Sequence, residues 1–299
     1  MKFTKMHGCG NDYVYFDCTK EALPNAAEAA VRLSDRHFGI GGDGIILVKS
    51  SDKADFYMEM YNADGSQGKM CGNGIRCVAK FVYDNGLTDK TELNVETLSG
   101  IKHLTLFPKD GRVEKVTVNM GHPSMNPAVI PLSEEGMASC RYPSPDFVGT
   151  ILGETEEFSE IPHYRIAVGG VNYILTAVSM GNPHAVIPVP DTKTFPVSEV
   201  GPVIEKHELF PEQVNTEFIH VTDRENIDMR VWERGSGETW ACGTGACAVA
   251  YACYRNGWSG ERVTVHLLGG DLEIRYDKKE DLIYMTGPAV TVCTGEVEL

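Results

Sequence analysis

The sequence predicts an α/β fold of the mixed α+β kind, with two pseudo-symmetric domains that arise from an internal duplication. Two observations support this: a cysteine-containing segment occurs twice, and strand-like alternation surrounds each copy. Residues 71–86 (CGNGIRCVAKFVYDNG) and 242–257 (CGTGACAVAYACYRNG) are identical at eight of sixteen positions without a gap. Because chance does not readily produce such a match, we expect the two halves to be copies of one unit.

The repeat extends beyond the cysteine segment at the same offset of 171 positions. This offset places Gly10-Asn11 on Gly181-Asn182, Asn62 on Glu233, and residues 55–61 on 226–232. An internal duplication predicts equivalent loops that face each other across a cleft, so we expect each half to present one cysteine to that cleft.

The elements of the first half follow from residue spacing. Residues 25–38 have helical spacing, with Asn25 as the predicted N-cap after Pro24 and Gly39 as the predicted stop. Four later segments alternate apolar and polar residues as half-buried strands do, and they lie at 55–60, 93–97, 104–107 and 113–119.

A region rich in Pro, Ser and Glu runs from about Gly121 to Pro162, which predicts a linker with insertions and few regular elements. The strand pattern then returns at 164–168, 173–178, 217–221, 227–231, 263–267 and 272–276, with a helix at 245–255. We therefore expect one domain over residues 1–119, carrying Cys71, and another over 120–287, carrying Cys242.

Composition narrows the class of protein. The chain has 299 residues, 42% hydrophobic and 23% charged, which suffices for two domains. Its 27 Lys and Arg against 42 Asp and Glu give a net charge of −15 with no basic cluster, which argues against nucleic acid or an anionic membrane as a partner. No apolar run resembles a signal peptide or a membrane span, so we expect a cytoplasmic protein whose nine cysteines are mostly reduced.

The repeated Cys-Gly-x-Gly motif suggests a reactive thiol. Its glycines permit a tight turn, and the following helix presents free N–H groups and the positive end of its dipole. Such a position lowers the pKa of a thiol, and the same N–H groups bind carboxylates. Two such thiols predict one base and one acid acting on opposite faces of a single carbon, which is the requirement for inverting a stereocentre.

Several alternatives remain open from the residues alone. Either cysteine could serve only in packing, and a disulfide or a zinc site is disfavoured by the reducing compartment and by ligand spacing. The segments 62–66 (NADGS) and 233–238 (ERGSGE) could be hairpin turns, and Asn11 and Asn182 could simply cap local backbone. The other cysteines are predicted to pack in the core, and they are Cys9, Cys18, Cys77, Cys140, Cys247, Cys253 and Cys293.

A set of motifs resembles the diaminopimelate epimerase family and covers nearly the whole chain in order. These motifs are MHGCGNDY (6–13), HFGIGGDG (37–44), YNADGS (61–66), MCGNGIRC (70–77), SMGNPHAV (179–186), VNTEF (214–218), WERGSGETWACGTGAC (232–247) and MTGPA (285–289). The resemblance implies two domains, each a mostly antiparallel sheet around a central helix, with residues 288–299 returning as a strand to the first domain. It also implies pyridoxal-independent, two-base epimerisation with no cofactor or metal.

The resemblance assigns roles to matched positions. Cys71 and Cys242 correspond to the thiol pair that exchanges proton donor and acceptor roles, His184 to a catalytically supportive histidine, and Glu233 to a group that holds the ammonium or tunes the thiols. Four residues correspond to hydrogen-bond donors for the reacting end of the substrate: Gly72, Asn73, Gly243 and Thr244. The expected substrate-binding side chains are Asn11, Asn62, Asn182, Asn215 and Arg234.

The chain departs from the family at Gly44, where many relatives have a glutamine that reaches the substrate. We expect backbone or water to supply this contact.

The resemblance implies an isomerase acting on LL- and meso-diaminopimelate in lysine and cell-wall precursor biosynthesis. It also implies a homodimer. The alternatives are a cofactor-independent racemase of another amino acid on the same fold and, from a different class, a non-enzymatic protein with a regulatory disulfide.

Overall fold

A computed structural model describes residues 1–142 and 161–298, which belong to two compact units. The first unit comprises Met1–Asn119 and Thr286–Leu299, and the second comprises Met120–Met285. Within the described residues, we find no helix that combines the length and apolar character needed to cross a membrane.

The structure contains short helices among many strands. The helices are α1 (Ala26–Ser34), α2 (Gly72–Asp84), α3 (Glu134–Cys140), α4 (Val197–Glu205) and α5 (Gly243–Arg255). The strands are β1 (Lys2–Gly8), β2 (Asn11–Asp17), β3 (Gly44–Lys49), β4 (Phe56–Asn62), β5 (Gln67–Gly68), β6 (Glu92–Thr97), β7 (Gly100–Lys109), β8 (Arg112–Gly121), β9 (Arg141–Tyr142), β10 (His163–Val168), β11 (Val171–Ser179), β12 (Pro183–Pro188), β13 (Asn215–Val221), β14 (Asn226–Glu233), β15 (Gly237–Thr239), β16 (Arg262–Leu267), β17 (Gly270–Asp277), β18 (Leu282–Pro288) and β19 (Val290–Glu296).

Most strand pairs of the first unit are antiparallel. Strand β1 pairs with β19 on one side and with β2 on the other, and β3 pairs with β4. Strands β6, β7 and β8 continue as antiparallel neighbours. The two parallel contacts join β2 to β3 and β4 to β6, and β3 is buried along almost its whole length, as strands in parallel contacts usually are.

The second unit repeats this order of elements. Strands β10, β11 and β12 are antiparallel, β12 is parallel to β13, and β13 is antiparallel to β14. Strand β14 is parallel to β16, which pairs antiparallel with β17. The predicted α/β class with mostly antiparallel pairing is confirmed, and the shared order is the one that an internal duplication produces.

Each unit packs its strands against one buried helix. In α2, Ile75, Val78, Ala79 and Val82 are fully buried at helical spacing. In α5, nearly every residue is buried, including Ala246, Val249, Ala250 and Cys253. Because the buried face runs along the whole helix, the packing fixes the position of its N-terminus, where the repeated cysteine lies.

Helix α1 is shorter than predicted, because it ends at Ser34 rather than at Phe38. The carboxylate of Asp35 accepts hydrogen bonds from the backbone N–H groups of His37 and Phe38 at 2.7 and 2.8 Å, and so forms a turn that competes with the helix. Asn25 is also not the predicted side-chain cap: its backbone is left-handed, and its side chain makes no capping hydrogen bond.

The expectation of a linker after Gly121 is wrong for residues 121–142. This stretch forms α3 and β9, and its residues Ile130, Leu132 and Cys140 are buried in the core of the second unit. Ser133 caps α3 by accepting the Gly136 N–H at 3.0 Å. Apolar residues spaced between prolines and serines thus allow this stretch to pack in the core. Residues 143–160 of the predicted linker lie outside the described residues.

The cysteine predictions hold with one exception. The predicted core cysteines Cys9, Cys18, Cys77, Cys140, Cys247 and Cys253 are buried. Cys293 is instead exposed, because strand β19 has almost all of its residues at the surface.

Candidate active site

The repeated cysteines occupy the same local geometry in their two units. Cys71 is the N-cap of α2 with φ −128° and ψ 120°, and its Sγ accepts the Gly74 N–H at 3.3 Å. Cys242 is the N-cap of α5 with φ −119° and ψ 111°, and its Sγ accepts the Gly245 N–H at 3.4 Å. Each sulfur therefore replaces the oxygen of an ordinary cap and lies at the positive end of a helix dipole.

The last glycine of each Cys-Gly-x-Gly motif is needed for close packing. A β-carbon on Gly74 would lie 2.7 Å from Ile46 Cδ1, and one on Gly245 would lie 2.7 Å from Glu217 Oε1. Ile46 and Glu217 are 171 positions apart, so they are equivalent in the repeat. Each turn therefore rests on the same strand position, which carries an apolar residue in one unit and a carboxylate in the other.

In the first unit, the Cys71 thiol is paired with Asn11. Cys71 Sγ donates to Asn11 Oδ1 at 3.1 Å, while Asn11 Nδ2 donates to Asp43 Oδ2 at 2.7 Å. Asn11 opens β2 after a turn at Cys9 and Gly10, whose φ values are 52° and 82°. The turn and the Asp43 contact together fix the amide with its oxygen toward the sulfur.

A charged network supports this asparagine. Arg36 donates to Asp12 at 2.8 and 3.2 Å and to Asp43 at 2.9 Å, and Lys5 pairs with Asp12 at 3.0 Å. Burial opposes ionisation of Asp12, but the hydrogen bonds from Arg36 and Lys5 outweigh it and lower the Asp12 pKa. The Asp12 carboxylate consequently remains charged beside the Asn11 end of β2.

In the second unit, a chain of contacts leads from Cys242 into the core. The Cys242 sulfur lies 3.5 Å from Thr244 Oγ1, which accepts Asn182 Nδ2 at 3.4 Å. Asn182 Oδ1 lies 3.0 Å from His184 Nε2, and His184 Nδ1 lies 2.7 Å from Glu217 Oε1. His184 and Glu217 are fully buried on the parallel strands β12 and β13.

The expected lowering of the thiol pKa does not hold for Cys242. Burial, followed by the charges of Glu233 and Glu217, raises the Cys242 pKa well above its usual value. The hydrogen bonds from Thr244 and Gly245 act in the opposite direction but do not outweigh these effects. Burial likewise raises the pKa of Glu217, although His184 opposes the shift.

Three other predicted residues lie around the β14–β15 turn. Asn215 Oδ1 accepts the backbone N–H of Arg234 at 2.9 Å, and Asn215 Nδ2 donates to Pro183 O at 3.2 Å. The exposed Arg234 guanidinium donates to Glu212 O at 2.8 Å, and Glu233 accepts the hydroxyl of Thr239. Segment 233–238 is thus a hairpin turn, and the charge of Glu233 acts on Cys242 from that turn.

The equivalent turn of the first unit joins β4 to β5 and contains Asn62, whose Nδ2 donates to Ser66 Oγ at 3.0 Å. Asn62 pairs with Gly44 in the β3–β4 register. A β-carbon at Gly44 would lie 2.1 Å from Tyr61 O, so this backbone has no room for the glutamine of the family pattern.

Two further predicted residues lie at the start of α2. The buried Asn73 accepts Arg76 Nη2 on its Oδ1 at 2.9 Å, so Arg76 holds its side chain. Arg76 Nη1 also donates to Gly72 O at 3.1 Å. The predicted role of Gly72 and Asn73 therefore depends on their backbone N–H groups.

Sequence reasoning missed two residues beside the cysteines, Glu217 and Tyr13. The 171-residue offset contains the signal, because it places Tyr13 on His184 and Ile46 on Glu217. Burial, followed by the charges of Cys71 and Asp43, raises the Tyr13 pKa well above its usual value. The first unit thus has a buried phenol where the second has an imidazole.

One group of potential metal ligands lies in the described part of the second unit. Ligand atoms of Cys140, His207 and Glu208 lie within 4.8 Å of one another. The Leu209 N–H donates to His207 Nδ1 at 3.2 Å, so the proton of the neutral ring is on Nε2. Because neither ring nitrogen then offers a lone pair, we assign no metal role to this group.

Known protein structures share this fold. A PhzF-family phenazine biosynthesis protein from Bacillus anthracis aligns with a TM-score of 0.66 at 17% identity, covering 100% of this chain and 99% of that chain. A probable proline racemase from Agrobacterium radiobacter also aligns with a TM-score of 0.66, at 15% identity, covering 100% of this chain and 93% of that chain. At these identities the likeness establishes the fold alone.

Sequence relatives are much closer. The family model for diaminopimelate epimerase matches residues 3–126 and 176–292. A diaminopimelate epimerase from Agathobacter rectalis is 49% identical, with 100% of both chains covered. One from Acetivibrio thermocellus is 48% identical, covering 100% of this chain and 99% of the relative. The chain therefore belongs to the diaminopimelate epimerase family.

Proposed function

We propose that this chain interconverts LL-diaminopimelate and meso-diaminopimelate by moving a proton at one carbon, without pyridoxal phosphate or metal. The observation that carries the proposal is the repeated cysteine cap. Cys71 and Cys242 sit at the N-termini of α2 and α5, and each sulfur accepts the third N–H of its helix. The names of relatives 46–49% identical over almost the full chain support the choice of substrate.

In the proposed mechanism, one cysteine acts as a thiolate and removes the α-proton, so that a C–H bond breaks and an S–H bond forms. The electron pair shifts toward the substrate carboxylate, where backbone N–H groups of Gly72, Asn73, Gly243 and Thr244 stabilise the negative charge. The other cysteine donates its proton to the opposite face of the carbon. Inversion requires the two sulfurs on opposite faces, and the reverse reaction exchanges their roles.

The environment of Cys242 supports an assignment of the resting state. Because burial and the charges of Glu233 and Glu217 raise its pKa, the Cys242 thiol is protonated at neutral pH. Cys242 then starts as the acid, and Cys71 is the base once it has given up the proton that it donates to Asn11. The Cys71 thiol donates to Asn11 at 3.1 Å, so loss of that proton leaves the sulfur with the Gly74 N–H as a donor.

The polar side chains around the two turns suit a substrate with two amino-acid ends. We assign the amides of Asn11, Asn62, Asn182 and Asn215 to its ammonium and carboxylate groups, and Arg234 to a carboxylate, which its guanidinium binds through two parallel hydrogen bonds. Glu233 binds an ammonium, and His184 orients Asn182, which lies 3.0 Å from it. Gly44 contributes through its backbone only.

We also propose a pathway, a cellular compartment and an oligomeric state for this chain. The reaction belongs to lysine and cell-wall precursor biosynthesis, takes place in the cytoplasm and is carried out by a homodimer. The net charge of −15 is consistent with a partner set limited to small molecules and a second copy of the chain.

The test is an epimerisation assay on purified chain without added cofactor. LL-diaminopimelate should be converted to the meso form, as followed by chiral chromatography, and Cys71→Ala and Cys242→Ala should each abolish conversion. Cys247→Ala, which removes a buried cysteine from α5 outside the cap, is the matched control and should remain active. Activity on another amino acid in place of diaminopimelate would overturn the proposed substrate. Turnover by Cys71→Ala or Cys242→Ala would overturn the two-thiol mechanism.

A further inference from the structure

The contacts below Cys242 form one continuous path of hydrogen bonds. The path runs from Glu217 to His184 (2.7 Å), from His184 to Asn182 (3.0 Å), from Asn182 to Thr244 (3.4 Å) and from Thr244 to the Cys242 sulfur (3.5 Å). Its inner end is fully buried and its outer end reaches the thiol. A proton at the inner end can therefore influence the groups that face the sulfur.

The direction of each hydrogen bond follows from the Asn182 amide. Its oxygen faces His184 Nε2, so that nitrogen carries a proton and donates. Its Nδ2 donates to Thr244 Oγ1. Because the Asn182 contact uses only an acceptor site of the threonine oxygen, the Thr244 O–H can be directed at the Cys242 sulfur, which lies 3.5 Å away.

The hydrogen bonds limit how many protons His184 and Glu217 can hold together. His184 Nε2 carries a proton while Nδ1 lies 2.7 Å from Glu217 Oε1. The pair is therefore either an imidazolium beside a carboxylate or a neutral imidazole beside a carboxylic acid. Both forms hold one proton more than a neutral histidine beside a carboxylate, and both have zero net charge.

The burial of Glu217 favours the form with a neutral carboxylic acid. Its side chain has no exposed surface, and its Oε2 has no hydrogen-bond partner among the described residues. An unpaired charged oxygen in such a place costs more than an unpaired neutral one. The carboxyl group then donates to His184 Nδ1, and the ring keeps its proton on Nε2.

We propose that Glu217 is a positioning residue that stores a proton with His184 and thereby keeps the Thr244 hydroxyl directed at the Cys242 sulfur. The inference rests on the proposed function, because it supplies the hydrogen bond that stabilises Cys242 when this cysteine becomes the thiolate. It identifies a partner for His184 to which the family resemblance assigned no role.

The groups facing Glu217 come from three neighbouring elements. They are His184 on β12, Glu233 at the end of β14 and Cys242 at the start of α5. In the first unit the equivalent positions hold Ile46 and Tyr13, which cannot store a proton in this way near neutral pH. The Glu217–His184 pair therefore serves Cys242, the more deeply buried of the two cysteines. This cysteine has the greater need of a hydrogen-bond donor when it ionises.

Two substitutions separate this role from packing. In Glu217→Gln the amide N–H donates to His184 Nδ1, so the path keeps its direction and the variant should retain most of its activity. Glu217→Met has similar length but no donor, and we expect kcat to fall about 100-fold because Thr244 and Asn182 lose their fixed orientation. Glu59→Met, which removes a partly buried carboxylate paired with Lys49 in the first unit, is the control and should remain active.

A role in packing alone predicts the opposite order, because an apolar side chain fits a fully buried position better than an amide. An active Glu217→Met together with an impaired Glu217→Gln would therefore overturn the proposal. Thermal unfolding of both variants shows whether they fold, and it separates lost activity from lost structure.

A second readout needs no substrate. Nitrogen-15 spectra of the full chain should show His184 with a protonated Nε2 at neutral pH in wild type and Glu217→Gln, and loss of this fixed state in Glu217→Met. If Nε2 of His184 is unprotonated in wild type, the proposal that Glu217 and His184 store a proton is overturned, even if epimerisation is observed. The expected spectrum in a chain inactive on diaminopimelate would overturn the proposed function and leave the Glu217–His184 pair supported.

Discussion

Cys71 Sγ donates to Asn11 Oδ1 at 3.1 Å, and the same asparagine donates its amide N–H to Asp43 Oδ2 at 2.7 Å. The aspartate thereby determines which end of the amide faces the sulfur. In the other unit the sulfur instead contacts the hydroxyl of Thr244. The two cysteine caps have matching backbone, but the groups that face their sulfurs differ.

Asn11→Asp tests the first of these contacts. A carboxylate beside both the thiol and Asp43 disfavours the thiolate, so alkylation of Cys71 by iodoacetamide at neutral pH should slow about 10-fold, the effect of one pKa unit. Peptide mass spectrometry measures the rate. Asn85→Asp, at the opposite end of α2, is the control, and equal Cys71 rates in both variants would contradict the role of Asn11.

Gly245→Ala tests the close packing of the Cys242 turn. The added methyl would lie 2.7 Å from Glu217 Oε1 and 3.2 Å from Cys242 Cβ, so we expect a loss of about 1–3 kcal/mol in the free energy of unfolding. Gly260→Ala is the matched control, since its β-carbon would come no closer than 3.9 Å to its surroundings. Urea titration gives both values, and equal stability of the two variants would argue against a steric role for Gly245.

Arg76→Lys tests the buried cation under the first cap. Arg76 has no exposed surface and donates to Gly72 O, Asn73 Oδ1 and Pro288 O at 3.1, 2.9 and 3.2 Å. Because a lysine cannot reproduce this planar set of donors, the free energy of unfolding should fall by about 1–3 kcal/mol. Arg112→Lys, at an exposed position of β8, should change little in the same titration, and a stable Arg76→Lys would contradict this account.

The buried thiols predict how stability depends on alkaline pH. Burial raises the pKa of Cys77 to about 11 and that of Cys253 further still, whereas the pKa of an unfolded cysteine is about 8.5. Above that pH the native state holds more protons than the unfolded state, so stability should fall as pH rises. Cys253→Ala should reduce this slope by about 1.4 kcal/mol per pH unit between about pH 9 and 10.5.

Unfolding at several pH values measures this slope. Cys293→Ala is the control, because this cysteine is exposed in the folded chain. A slope that is the same for Cys253→Ala and wild type would show that the buried thiol does not hold its proton in the native state.

Much of the fold could be predicted from local patterns. Alternation in strands such as β6 and β17 and the apolar face of α2 are short-range signals, and the repeat at 71–86 and 242–257 identified both helix N-termini. The prediction was wrong where local competition or long-range packing decided the structure. Asp35 ended α1 early by binding the next N–H groups, and the packing of residues 121–142 depended on a core that is distant in sequence.

The sequence prediction of the candidate site missed Glu217 for a similar reason, because the contacts of Glu217 depend on strand pairing that is distant in sequence. Glu217 meets His184 only because β12 and β13 pair in parallel with His184 opposite Asn215, across 33 positions of sequence. Burial also reversed the expected pKa shift of Cys242, since desolvation is a property of the folded unit and not of the CGTG motif. The sequence did contain one usable sign, because the repeat placed a glutamate on Ile46, a fully buried strand position.

The isotope content of substrate and product tests most directly whether two separate thiols act on one carbon. In heavy water, at low conversion of LL-diaminopimelate, the meso product should carry deuterium at its α-carbon while recovered substrate keeps hydrogen. This result is expected because the proton taken by one cysteine is not the one returned by the other. Product that retains the substrate's own hydrogen would show a single base and contradict the account.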